Sequence, residues 1–306
     1  MSISLLLEMA ASSNPDRTAV VSGDTRLTTQ QLSDLADGGA GVIARSNAKH
    51  VVYVGTGGKM LPLLIFASAR AGLAFTPVNY RLSADGIQAL IARLPEPLVI
   101  ADSRYRDMLG DASQQVIDSD ELLVAARDAE PAAEFADPDA VAIVLFTSGT
   151  TSQPKAVELT HANLTSYITG SVEFDSAEPT DAALICVPPY HIAGVSAALS
   201  NLYAGRKMVY LSTFDPQEWV RLINAEHVTT ATVVPTMLDR IVTVLEGGGP
   251  ELPSLRNLAY GGSKVGLPLI RRALELLPNV GFVNAYGLTE TSSTITVLTP
   301  DDHRQA

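Results

Sequence analysis

An α/β fold, with parallel sheets joined by crossover helices, is predicted by three observations. Short apolar or β-branched runs alternate with longer helix-patterned segments. Three glycine- or hydroxyl-bearing segments follow directly on such runs: the one after Phe146, Gly261-Gly262, and Tyr286-Gly287. In open α/β sheets, ligands gather at the carboxyl ends of strands, which is where these segments fall. The composition, 46% hydrophobic and 18% charged over 306 residues, supplies a sizeable core and argues against disorder.

The elements follow in order. Residues 50–55 read as a strand, 59–71 as a helix and 74–78 as a second strand. Ser83 caps a helix over 83–94, its hydroxyl accepting from an orphan amide of the first turn, and 97–101 is a further strand. Residues 121–139 are rich in alanine and acid and read as a surface connection. They separate a first α/β subdomain, 1–138, from a second, 139–306. Val141-Ala142-Ile143-Val144-Leu145-Phe146 is a buried strand. At Asp215-Pro216-Gln217-Glu218 a helix begins: aspartate caps, and proline suits the first helical position. Residues 228–234 and 255–260 are strands, 265–277 a helix with Pro268 near its start, and 280–284 a strand that delivers Tyr286.

The formal net charge of −12 argues against a general nucleic-acid binder, which normally carries a basic face. No apolar run is long enough to span a bilayer, so no integral membrane segment is expected. The start, Met1-Ser2-Ile3-Ser4-Leu5, lacks the basic segment of a signal peptide. One cysteine, Cys186, cannot build a disulfide framework, and the chain reads as cytoplasmic. The apolar neighbours of Cys186 mark it as a buried small hydrophobe rather than a reactive thiol.

The segment Phe146-Thr147-Ser148-Gly149-Thr150-Thr151-Ser152-Gln153-Pro154-Lys155-Ala156 carries the chemistry. Its amides can form an anion-binding concavity, its hydroxyls add donors, and Lys155 adds a mobile charge. A Ser/Thr/Gly cluster by itself is an ordinary polar turn. A Walker loop needs glycine five residues after the first and Ser or Thr after the lysine, and Pro154 and Ala156 break that template. Ser152-Gln153-Pro154-Lys155 matches S-x-x-K, but the companion S-D-N and K-T-G motifs are absent, as is any G-x-S-x-G elbow.

This loop resembles the phosphate-binding signature of the adenylate-forming superfamily, which includes acyl-CoA synthetases and other AMP-dependent synthetases and ligases. Tyr286-Gly287-Leu288-Thr289-Glu290-Thr291 resembles its second signature. Tyr260-Gly261-Gly262-Ser263 and Pro189-Tyr190-His191-Ile192-Ala193-Gly194 resemble two more, and the four stand in the family's order. Likeness extends to the N-terminal part through residues 27–32 and Val78-Asn79-Tyr80-Arg81-Leu82-Ser83. The implied fold is the large N-terminal domain of these enzymes: two mixed or parallel sheets flanked by helices in an αβαβα layering. Ser152 and Ala156 stand where the family has glycine, which restricts a turn with φ > 0.

The resemblance implies the following roles. Thr147, Ser148, Gly149, Thr150, Thr151 and Lys155 hold the β- and γ-phosphates of ATP. Glu290 binds Mg²⁺, and Thr289 contacts the α-phosphate. Tyr286 and Gly287 lie at the adenine, and Gly261, Gly262 and Ser263 let the backbone approach base or acyl group. His191 and Val195 line the acid pocket with Gly261 and Gly262. Each has a plainer alternative: a helix-start Thr-Glu pair, a core tyrosine, a strand-to-helix turn, a structural histidine. The remaining histidines, His50, His161, His227 and His303, lack metal-ligand spacing.

The implied activity has two steps. A carboxylate attacks the α-phosphorus of ATP, releasing pyrophosphate, and a thiol, typically coenzyme A, then displaces AMP. The substrate partners are thus a fatty, aryl or other hydrophobic carboxylic acid, ATP and coenzyme A. A carrier-protein acceptor, a homodimer and a non-catalytic nucleotide-binding relic all stay open. The family continues past the second signature into a lid domain that carries a further lysine. The chain therefore reads as an N-terminal portion with the C-terminal lid absent, expected to be inactive alone.

Overall fold

The computed structural model describes residues 1–110, 115–132, 136–147 and 153–305. The strands are β1 (Thr18–Ser22), β2 (Thr25–Thr28), β3 (His50–Val54), β4 (Ala74–Pro77) and β5 (Pro97–Ala101). There follow β6 (Gln115–Asp118), β7 (Val141–Thr147), β8 (Lys155–Thr160), β9 (Ala182–Ile185) and β10 (Lys207–Tyr210). Last come β11 (Thr230–Val233), β12 (Asn257–Gly261), β13 (Gly281–Leu288) and β14 (Ser293–Leu298). The helices are α1 (Ser4–Ser13), α2 (Thr29–Arg45), α3 (Met60–Arg70), α4 (Ala84–Ile91), α5 (Ser119–Asp128) and α6 (His161–Ser171). Completing them are α7 (Ile192–Ala204), α8 (Pro216–Ala225), α9 (Pro235–Glu246), α10 (Leu267–Leu276) and α11 (Pro300–Gln305).

Two mixed sheets form. One has the order β6-β5-β3-β4-β7-β8, the other β14-β13-β12-β11-β9-β10-β1-β2. Neighbouring strands pair in parallel except in the hairpins β1–β2, β7–β8 and β13–β14, which pair antiparallel at the edges. The sheets do not divide at residue 138, as composition suggested: β7 and β8 complete the first, and β1 and β2 complete the second. Residues 121–139 are likewise more than a connection. Asp118 and Glu121 form a capping box for α5. That helix buries Leu122, Leu123 and Ala126 beside α2, where the absence of a β-carbon on Gly38 leaves room for the Ala126 carbonyl.

Strand periodicity of two sorts side chains between layers. Val51, Tyr53, Leu98 and Ile100 face a central core with α1, α2, α3 and α7, and Val52, Val54, Val99 and Ala101 face α4 on the outside. From the second sheet, Val20, Ile185 and Met208 join the central core. Leu184, Val209, Val233, Leu258 and Phe282 instead pack outward with buried Trp219 of α8 and with α9 and α10. The layering is therefore αβαβα. Caps read from sequence are present: Ser83 accepts from the Gly86 amide at 3.2 Å, and Asp215 from Gln217 and Glu218 at 3.0 and 2.9 Å. Among the described residues no helix is long and apolar enough to cross a membrane.

One buried titratable group in this frame makes stability depend on pH. His50 opens β3, is 4% exposed, and lies with Nε2 2.7 Å from Thr76 Oγ1. Burial lowers its pKa to about 4. The folded pKa is depressed, so as pH falls below about 6.5 the unfolded chain takes up a proton that the folded chain refuses. Folding is expected to lose roughly 2 kcal/mol through this group between pH 7.5 and pH 5. Urea titrations at the two pH values check it: His50→Gln should flatten the dependence by about that amount, and an unchanged slope would refute the assignment. Burial lowers the His161 pKa too and acts in the same direction.

Candidate active site

Of the described site residues, Thr147 and Gly261 end β7 and β12, and Thr289 and Glu290 follow β13. Thr147 ends β7 and pairs with Lys155, the first residue of β8, so the phosphate-loop segment leaves and rejoins one hairpin. Ser148, Gly149, Thr150, Thr151 and Ser152 lie outside the described residues. Lys155 and Ala156 are exposed. The exit of the loop is tied down by Arg93, whose Nη1 donates to the Pro154 carbonyl at 2.7 Å and whose guanidinium lies 4.8 Å from the Phe146 ring centroid.

Strand β8 runs beside the short 3-10 turn Thr289–Thr291, with Cα atoms within 8 Å. Lys155 and Glu290, 135 positions apart in sequence, thus belong to neighbouring segments. The turn is held by Thr291, whose hydroxyl accepts from the Leu288 amide at 3.0 Å. The next two residues, Ser292 and Ser293, take φ of 60° and 127°. Non-glycine residues there cost on the order of 1–3 kcal/mol each and persist only where surroundings hold them. Ser196 of α7 supplies such a hold, its Oγ donating to Ser293 Oγ at 3.2 Å. The Glu290 carboxylate is exposed and makes no hydrogen bond or ion pair among the described residues.

Tyr286 lies within β13 rather than after it, because that strand is prolonged through Leu288 by pairing with β14. It is 57% exposed, leaving a ring face open for stacking. Gly262 has φ +82°, a conformation that suits glycine. It follows Gly261 at the end of β12, and Ser263 beside it is exposed.

His191 stands at the N-cap position of α7. Its ring centroid is 4.6 Å from that of Tyr190, which meets Tyr80 edge-on at 5.5 Å, and Tyr80 lies 5.4 Å from Tyr105. This aromatic row runs from the first sheet's end of the site to the second's. Crowding by surrounding atoms, then the charge of Arg81, lower the His191 pKa although the residue keeps an exposed edge. Its imidazole is therefore neutral at pH 7 and can hydrogen-bond without adding charge.

Behind Gly261 and Gly262 a cavity of about 320 Å³ runs between α7 and strands β9, β11 and β12. On the helix side Ala193, Ser196, Ala197, Ser200 and Asn201 line it. Val195, expected in this wall, is fully buried in the central core and does not line the cavity. On a 3.6-residue helix, positions 193, 196, 197, 200 and 201 share one stripe, which 195 does not join. That small-residue stripe was visible in the sequence. Arg93 and Tyr105 carried no local signal in the sequence, and Tyr80 only that of its family-like segment. Cys186 is buried, and burial pushes its thiol up to about 12, which leaves it inert.

The donor set suits a magnesium–triphosphate. Mg²⁺ binds through one or two carboxylates plus phosphate oxygens and keeps water ligands, so the exposed Glu290 carboxylate, without a partner among the described residues and on a turn beside β8, fits it. Among the described residues no group of three or more His, Cys, Asp or Glu side chains forms a closed metal site.

Fold and site together define an α/β protein in which the strand that starts at Lys155 runs beside the Thr289–Thr291 turn, and residues flanking that turn, Gly287 and Ser293, line a cavity. The chain belongs to the AMP-binding enzyme family, whose family model matches residues 7–306. It is similar to feruloyl-CoA synthase of Amycolatopsis sp, 31% identical over 292 residues, covering 93% of this chain and 59% of that protein. It is also similar to fatty acid–[acyl-carrier-protein] ligase ScoC of Streptomyces coeruleorubidus, 29% identical over 265 residues, with 83% and 51% covered. The chain thus spans between half and three-fifths of the length of these relatives. The solved structure of O-succinylbenzoate coenzyme A synthetase (MenE) from Bacillus subtilis in complex with ATP and magnesium ion superposes with a TM-score of 0.83. The two are 25% identical, with 98% of this chain and 63% of that one covered.

Proposed function

We propose that this chain forms the ATP- and acid-binding part of a carboxylic acid–CoA ligase that proceeds through an acyl-adenylate. The observation that carries the reading is the adjacency of β8, with Lys155 opposite Thr147, to the Thr289–Thr291 turn beside the cavity. Lys155 and the loop hydroxyls hold the β- and γ-phosphates, Thr289 meets the α-phosphate, and Tyr286 stacks on adenine next to Gly287. Glu290 would hold Mg²⁺, which when bound neutralises charge on the phosphate oxygens. Neutral His191 lets the acid's carboxylate enter without trapping it as an ion pair. The acid is the nucleophile, so no activated serine or cysteine is required. Catalysis rests on positioning the carboxylate in line with the α-phosphorus and on stabilising the charge that develops there. Coenzyme A sulfur then attacks the acyl carbon and AMP departs.

The substrate is a fatty, aryl or other largely hydrophobic acid, because Ile192, Ala193, Ala197 and Val234 line the mouth and middle of the cavity, with only small hydroxyls, Ser196 and Thr232, between them. Similarity to ScoC supports a second reading for the acceptor, a carrier-protein thiol in place of coenzyme A.

Calorimetry on this chain tests the assignment. ATP is expected to bind more tightly with Mg²⁺ present, and Glu290→Ala should remove most of that gain, about tenfold in Kd. A wild-type chain that bound neither MgATP nor an acyl-adenylate analogue would favour a non-catalytic relic.

A further inference from the structure

The cavity has a polar, charged floor. Its mouth lies at Gly261 and Gly262, at the carboxyl end of β12, and it reaches Ala183 and Thr230 at the opposite ends of β9 and β11. On the helix side it runs from Ile192 to Asn201, nine residues, or about 13 Å at 1.5 Å per residue. The strand side agrees, since Thr230 to Val234 spans roughly 13 Å. Walls near the mouth are mostly alanine, glycine and aliphatic, with hydroxyls at Ser196, Ser293 and Thr294. At the far end stand Tyr167, Ser200, Asn201 and Arg206.

The position of Arg206 follows from the end of α7. Gly205 takes φ +78° and reverses the chain, and the Arg206 amide donates to the Asn201 carbonyl at 2.8 Å. The arginine therefore lies beneath the last turn of the helix that walls the cavity. Its guanidinium makes no hydrogen bond, ion pair or ring contact among the described residues. The carboxylates nearby are already engaged: Asp175 with Arg17 at 3.4 Å, Glu226 with Lys207 at 3.0 Å, and Asp181 with Arg256 at 2.5 Å. Ser200 and Asn201 donate back to the Ser196 and Ala197 carbonyls at 2.7 and 2.8 Å, which leaves Arg206 as the charged donor of the floor.

We infer that the cavity selects an acid carrying a second carboxylate at the end remote from the one that is activated, and that Arg206 is the specificity-determining residue. This rests on the ligase reading above and narrows its substrate class. A guanidinium fork matches a carboxylate in two parallel hydrogen bonds, whereas an alkyl end placed there would strip water from the charge and return nothing. The apolar middle and the charged floor together fit a medium-length α,ω-diacid.

Two non-hydrolysable acyl-adenylate mimics separate the possibilities: octanoyl- and suberoyl-sulfamoyladenosine, titrated into the 306-residue chain by calorimetry. The suberoyl compound is expected to bind at least about tenfold more tightly. Arg206→Ala should abolish the preference by weakening suberoyl binding about tenfold, with Arg206→Lys keeping part of it. If both mimics bind and octanoyl binds as well as suberoyl, the diacid inference is overturned and the ligase reading stands. If neither binds, the ligase reading fails and takes this one with it.

Discussion

Gly287→Ala is expected to cost about 3 kcal/mol or more of stability and to abolish nucleotide binding, the largest effect of any single methyl addition in the site. A β-carbon at Gly287 would fall 1.8 Å from the Ser293 carbonyl oxygen, 2.5 Å from its carbon and 2.8 Å from Thr294 Cα. All three are backbone atoms, so no rotamer change relieves the overlap. Gly287 pairs with Thr294 at an irregularity in the β13–β14 ladder, and Ser292 and Ser293 already hold left-handed backbone there. The ladder must open, moving Tyr286 on one side and the Thr289–Thr291 turn on the other. Gly170→Ala is the control: it lies within α6 with nothing within 4 Å of the added carbon and should stabilise by up to about 1 kcal/mol. Guanidinium titrations together with ATP calorimetry measure both effects. A Gly287→Ala chain within about 0.5 kcal/mol of wild type, the range of an innocuous surface change, would sink the account.

The clash also explains which parts of the molecule could be read from sequence. Strands buried on both faces, such as β3 and β5, write their bounds in continuous apolar runs, and caps such as Ser83 and Asp215 are local chemistry. β14 was not read, because Ile295, Val297 and Leu298 are about half exposed and polar residues alternate with them. Nor did the sequence disclose that β1 joins β10, or that β7 joins β4: pairing between distant segments leaves no local mark. α5 was passed over because alanine and acid dominate it, while its burial depends on the glycine face of α2.

The site divides in the same way. Lys155, His191, Tyr286 and Glu290 are legible because their motifs surround them; the structure sets β8 beside the Thr289–Thr291 turn, and Ile192 and Gly287, next to His191 and Tyr286, line the cavity. Arg93 and Arg206 are not, since an arginine in a string of letters reads as a solvated surface charge. Only the fold sets one over Phe146 and the other beneath α7.

A third arginine carries the second large prediction, this time through stability. Arg70 ends α3 with 4% exposure, donating through Nη1 to the Ser33 carbonyl at 2.8 Å and through Nη2 to Ser33 Oγ at 3.0 Å. Nη1 also lies 3.1 Å from Asp37 Oδ1. These bonds clamp α3 to α2 in the central layer that supports both sheets. Arg70→Met keeps the apolar stem but removes the donor to the Ser33 carbonyl and hydroxyl and leaves Asp37 without its cation. Removing one partner of a buried pair costs about 3–5 kcal/mol, and the lower end applies because Asp37 is partly exposed. The two partners should not be equivalent. Burial raises the Asp37 pKa more than Arg70 lowers it, so folding already disfavours this carboxylate's charge. Asp37→Asn is therefore expected to change stability by no more than about 1 kcal/mol. Urea midpoints for the two variants decide it: equal losses would make the ion pair itself the clamp, and a small loss for Arg70→Met would mean the helices are held by apolar packing alone.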